Sequence, residues 1–164
     1  MMFAKLLAPA LLAASVAIPA HAVEAVRAIE VDVDLSAISN PEAAKRYATL
    51  DDDLTNAITA AAVGLISDDE DAATLRVDVS EVSLQDQFEV STGIDASSMA
   101  GSVSVLNSNN NTDYQAFDLT VTLAQAMPYI PQGVDVAVLT PSSDEVYQAL
   151  VQAFAAEAVA RLND

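Results

Sequence analysis

Ile29, Val31, Val33 and Leu35 alternate with Glu30, Asp32 and Asp34, a period of two that predicts a strand with one dry and one wet face. Asn40-Pro41-Glu42 comes next, reading as an N-cap, a proline in the first helical position and a first-turn acid. Tyr47, Leu50, Leu54, Ile58, Ala61 and Leu65 then recur at threes and fours, which predicts one amphipathic helix of roughly 25 residues. Gly64 and the polar run Ser67 to Asp71 close it. Leu75, Val77 and Val79 predict a second strand, with a bulge near Glu81 where the apolar phase shifts to Val82 and Leu84. Met99, Gly101, Val103 and Val105 predict a third strand, and Phe117, Leu119, Val121 and Leu123 a fourth. The turn-rich stretch Asn107 to Asp113 joins these two. Ser142-Ser143-Asp144-Glu145 reads as a capping box opening a last helix, whose apolar stripe is Val146, Leu150, Ala153, Phe154, Ala158 and Leu162.

The order is β-α-β-β-β-α. Every strand is aliphatic on one face and polar on the other, so the sheet needs a cover on one face only, and two amphipathic helices supply it. The expected fold is α+β: a two-layer sandwich with a four-stranded mixed sheet and both helices on one face. A right-handed crossover through the first helix makes strands one and two parallel if they are adjacent. Strands two to four are expected to form an antiparallel meander.

The N-terminus changes the picture of where this fold works. Lys5, the apolar run Leu6 to Pro19 and the small-x-small stretch Ala20-His21-Ala22 form the pattern of an export signal, with cleavage expected after Ala22. The run is too short to span a bilayer, which takes about 20 apolar residues. Residues 1–22 are thus read as signal peptide and 23–164 as one domain. The expected location is the periplasm, and no integral membrane protein is expected.

Charge and composition narrow the chemistry. The chain has 24 acidic and 6 basic residues, a formal charge of −18. Cleavage removes Lys5 and leaves five basic residues against the same 24 acids, a formal charge of −19. That balance argues against nucleic acid and anionic membrane surfaces, both of which are bound through Lys and Arg. The one histidine, His21, falls within the signal, and there is no cysteine. Ser-His-Asp and Cys-His catalysis, the usual zinc ligand sets, disulfides and a lipidated cysteine are therefore excluded from residues 23–164. The glycines Gly64, Gly93, Gly101 and Gly133 match no phosphate- or dinucleotide-binding spacing. The remaining enzymatic option is a carboxylate pair, such as Asp32 with Asp34, but acids on a wet strand face are ordinarily solvating. No enzyme and no cofactor are expected.

The element order behind an export signal resembles small envelope accessory proteins, namely the LptE-like proteins and the auxiliary lipoproteins of ABC-type envelope transport systems. That resemblance implies a non-catalytic accessory role in the cell envelope, binding a protein or a lipid. Those families are usually lipid-anchored, whereas this chain has no cysteine to acylate.

Two stretches are candidate sites. Ala126 to Pro141 ("AMPYIPQGVDVAVLTP") is densely apolar, and its prolines stiffen Tyr129-Ile130. One reading makes Val134, Val136 and Val138 a short edge strand with the rest packed beneath the helices. The other makes Met127, Tyr129 and Ile130 an exposed lip that docks a partner or lipid. Phe88 to Ile94 poses the same question. The second candidate is Asp68-Asp69-Glu70-Asp71, a weak calcium site in a turn, which carries the alternative function of a periplasmic acidic cation-binding protein. Asp51-Asp52-Asp53 is expected inside the first helix, where successive side chains diverge and do not converge on an ion.

Overall fold

The computed structural model of the protein describes residues 23–33, 45, 47–79, 98–107, 115–135, 139 and 143–163. Its strands are β1 (Val26–Val33), β2 (Ala73–Val79), β3 (Ser98–Leu106) and β4 (Gln115–Thr122). The helices are α1 (Leu50–Ala61), the short α2 (Leu123–Ala126) and α3 (Asp144–Ala160). The strands lie in the spatial order β1-β2-β3-β4. β1 and β2 are parallel, while β2-β3 and β3-β4 are antiparallel. This is the expected mixed four-stranded α+β sheet.

Strand alternation determines which side faces the helices. Leu75, Val77 and Val79 pair with Val105, Val103 and Gly101, and all six are buried. Gly101 in turn pairs with the buried Leu119, and Met99 with Val121. Leu54 and Ile58 of α1 and Val146, Leu150, Phe154 and Ala158 of α3 close this layer. Tyr47 and Tyr147 meet there with ring centroids 5.9 Å apart. Aliphatic burial on this scale, at about 25 cal/mol per Å² removed from water, is what holds the two layers together.

The structure corrects several boundaries. β1 begins at Val26, and its register shifts between Val26 and Ala28. The shift lets Val26 and Ile29, an odd number of residues apart, both turn towards the core. Among the described residues the predicted 25-residue helix is interrupted: a turn at Tyr47 to Thr49 separates the helical Lys45 from the 12-residue α1. Leu50 N–H donates to the Tyr47 carbonyl at 3.1 Å, a three-residue closure, and Thr49 becomes the N-cap. Asp51, Asp52 and Asp53 then occupy the first turn, where carboxylates complement the positive end of the helix dipole. Leu123 is not in β4 but opens α2.

Among the described residues the last helix shows no capping box. Ser143 is the N-cap and contributes its carbonyl to the Tyr147 N–H, while its side chain makes no capping bond. A box forms at Thr122 instead, where the Gln125 Oε1 accepts from the Thr122 N–H at 3.0 Å. The N-terminal 22 residues, Asn40-Pro41-Glu42, the phase shift near Glu81, and Phe88 to Ile94 lie outside the described residues.

Candidate functional site

The apolar lip grows out of the end of β4. The Thr122–Gln125 box turns the chain into α2, whose Leu123 and Ala126 are buried. Met127 to Tyr129 continues as a single 3₁₀ turn with Pro128 in its first positions, and the Ile130 N–H donates to the Met127 carbonyl at 3.2 Å. The buried anchor sets the exposure of the residues beyond it. Met127 is 39% and Tyr129 42% exposed, whereas Ile130 is half-buried and packs against the core. Gly133 takes a positive φ of 91° in the next turn, a backbone region that L side chains avoid. Val134 lies outside any strand, and Val136 and Val138 lie outside the described residues.

Tyr129 borders an open groove of about 380 Å³. Its far wall is α3, which contributes Ala153, Ala156 and Ala160, and Gln125 and Glu157 bring polar groups to its lining. Met127 and Tyr129 were legible as candidates from their apolar run. The alanine wall was not, because nothing local ties residue 129 to residues 153–160.

The acidic turn is organised by its own backbone. The Asp69 N–H donates to Ser67 Oγ at 3.2 Å, and the Asp71 N–H donates to Asp69 Oδ1 at 3.0 Å. The Ala72 N–H donates to the Asp69 carbonyl at 3.1 Å. Asp69 and Asp71, with Glu24, Asn107 and Gln115, line a cleft of about 400 Å³ over Ala73 and Val105. Among the described residues, no three His, Cys, Asp or Glu side chains are grouped to hold a metal ion. Asp68 to Asp71 therefore form a hydrogen-bonded turn and are not gathered around a common centre.

The face of the sheet away from the helices is polar. Glu30, Arg76 and Ser104 stand side by side on neighbouring strands, as do Asp32, Asp78, Ser102 and Asp118. Arg76 donates to Glu30 Oε2 through Nη2 at 2.7 Å and Nε at 3.2 Å. The hydrogen bond and then the charge of Glu30 hold the Arg76 guanidinium above its ordinary pKa. Asp32, half of the candidate Asp32–Asp34 carboxylate pair, is exposed here, and Asp34 lies outside the described residues.

No family model and no curated protein matches the chain. Among solved structures, it is similar to a variant of PelC from Paraburkholderia phytofirmans, crystallised as a dodecamer, at TM-score 0.42 and 14% identity over 88% of this chain and 92% of that one. It is also similar to a candidate lipoprotein from Caulobacter crescentus CB15, at TM-score 0.32 and 18% identity over 81% of this chain and 82% of the other. Both likenesses are distant, and even a shared fold does not fix a function. No helix among the described residues is long and apolar enough to cross a membrane.

Proposed function

We propose that this chain is a non-catalytic accessory protein of the bacterial cell envelope, exported to the periplasm without a lipid anchor. In this reading it docks a protein partner through Met127, Tyr129 and the adjoining groove. The observation that carries it is the contrast within one short segment: Leu123, Ala126 and Ile130 fix the backbone to the core, while Met127 and Tyr129 stay 39% and 42% exposed. Large apolar side chains held rigidly in water lose little entropy on binding, which is how aromatic anchors work at interfaces. A protein partner suits the groove better than a lipid does. An acyl chain needs a dry, enclosed cavity, whereas this groove is open and has Gln125 and Glu157 in its lining.

The experiment is site-specific photo-crosslinking in intact cells, with the probe at position 129 and a control probe at the exposed Asp52. One discrete protein adduct from position 129 alone supports the reading. Adducts to lipid replace the protein partner with a lipid one, and identical patterns from both positions overturn docking at this lip.

A further inference from the structure

β4 is an edge strand, with β3 on one side and no described strand on the other. Main-chain groups along a strand face its two sides in turn, so those of Asp118, Thr120 and Thr122 share one edge. Two side chains meet that edge. Arg161 Nη1, just past the end of α3, donates to the Asp118 carbonyl at 3.3 Å. Gln125 Oε1, from α2, accepts from the Thr122 N–H at 3.0 Å. Neither bond belongs to the β3–β4 ladder, so this is the outward edge. Arg161 is itself aimed. Its Nε donates to Glu157 Oε1 one turn back at 3.1 Å, and its guanidinium carbon lies 5.6 Å from the centre of the Phe117 ring. An arginine side chain that is 39% exposed is thus fixed by three separate contacts. At the opposite edge the main chain does this work for the start of β1: the Val26 N–H donates to the Leu65 carbonyl at 2.8 Å, and the Val26 carbonyl accepts from the Ser67 N–H at 3.0 Å.

We propose that Arg161, with Gln125, guards the β4 edge and keeps a second copy of this chain from pairing its own β4 there. A strand that joins an edge needs successive outward residues, each offering its N–H and its carbonyl. Arg161 occupies the carbonyl of Asp118 and Gln125 the N–H of Thr122, so the only outward residue between them is Thr120. The guanidinium adds a second obstacle. It stays charged at any ordinary pH, and a strand laid over it would have to bury that charge. Net charge alone does not close the edge. The formal −18 is spread over the whole chain, and at about 0.5 M salt its repulsion is screened within about 4 Å, less than one strand spacing. The guard does not depend on docking at the lip, since neither Met127 nor Tyr129 takes part in it.

The test is sedimentation velocity over a range of protein concentrations, on the chain without residues 1–22, at about 0.5 M sodium chloride. Arg161→Ala is expected to self-associate at least about tenfold more tightly than the unaltered chain. Arg76→Ala removes a cation from the sheet away from β4 and is expected to leave association unchanged. Adding Thr120→Pro to Arg161→Ala should reverse the gain, because proline deletes an outward N–H and spares the ladder to β3. No tighter association by Arg161→Ala would overturn the proposal, as would an equal gain from Arg76→Ala. Association that persists with Thr120→Pro would come from another surface or from unfolding, and would overturn it too.

Discussion

The Tyr147 hydroxyl donates to Asp53 Oδ2 at 2.7 Å, joining α3 to the first turn of α1 across 94 residues of sequence. Asp53 is held from its own side as well, since Thr49 Oγ1 donates to the same oxygen at 3.1 Å. The carboxylate thus links the helix cap to the helix–helix contact. Tyr147→Phe keeps the ring against Tyr47 and removes only the hydroxyl. Water reaches the half-exposed Asp53, so the loss is expected at about 1.5 kcal/mol, the low end for a bond to a charged acceptor. Urea unfolding should show a lower midpoint with an unchanged slope.

Gly101 sits where β3 crosses β2, and a Cβ built there would lie 2.6 Å from the Asp78 carbonyl oxygen. The obstacle is backbone, so no side chain can swing aside to relieve it. Gly101→Ala should cost about 1–3 kcal/mol through strand displacement. Gly64 has nothing within 4 Å of its Cβ position and no positive φ, so Gly64→Ala serves as the matched control. Equal unfolding midpoints for the two variants would refute the close approach.

The strands were legible because a face buried under helices imposes a strict alternation, as Leu75, Val77 and Val79 show. Where the alternation breaks, reading by period fails. The register shift at Val26 to Ala28 hides the first residues of β1, and Leu123 keeps the phase of β4 while starting a helix. Tyr47 and Leu50 are both buried, and a spacing of three fits a turn as well as a helix. The break there was signalled by Thr49 ahead of three acids, a cap followed by first-turn charges. Of the candidate sites, the exposed pair Met127 and Tyr129 could be suspected from their apolar run. Ala153, Ala156 and Ala160 across the groove, and the alignment of Asp32 with Asp78 and Asp118, depend on tertiary register that no local pattern encodes.

The Val23 N–H donates to the Leu162 carbonyl at 2.9 Å, and Val23 packs against the core. A chain cleaved after Ala22 keeps this contact, since a terminal ammonium also donates. Edman sequencing or intact-mass measurement of periplasmic material should give Val23 as the first residue. Recovery of the protein with Met1 attached would remove both the export reading and the argument that the working chain lacks histidine.

Divalent cations should act on this chain through ionic strength alone. A chain at −18 repels itself, and salt screens that repulsion over about 8–10 Å at physiological strength, so the melting temperature should rise with sodium chloride from low to moderate concentration. Calcium demands about 6–8 oxygens around one centre. In the turn at Asp68 to Asp71, Asp69 Oδ1 already accepts the Asp71 N–H, and no metal-holding group of three acids exists among the described residues. Calcium and magnesium at equal ionic strength should therefore raise the melting temperature alike, and Asp69→Asn should leave that response unchanged. A rise specific to calcium and abolished by Asp69→Asn would mean that the turn rearranges around the ion, and would favour the alternative reading of a cation-binding protein.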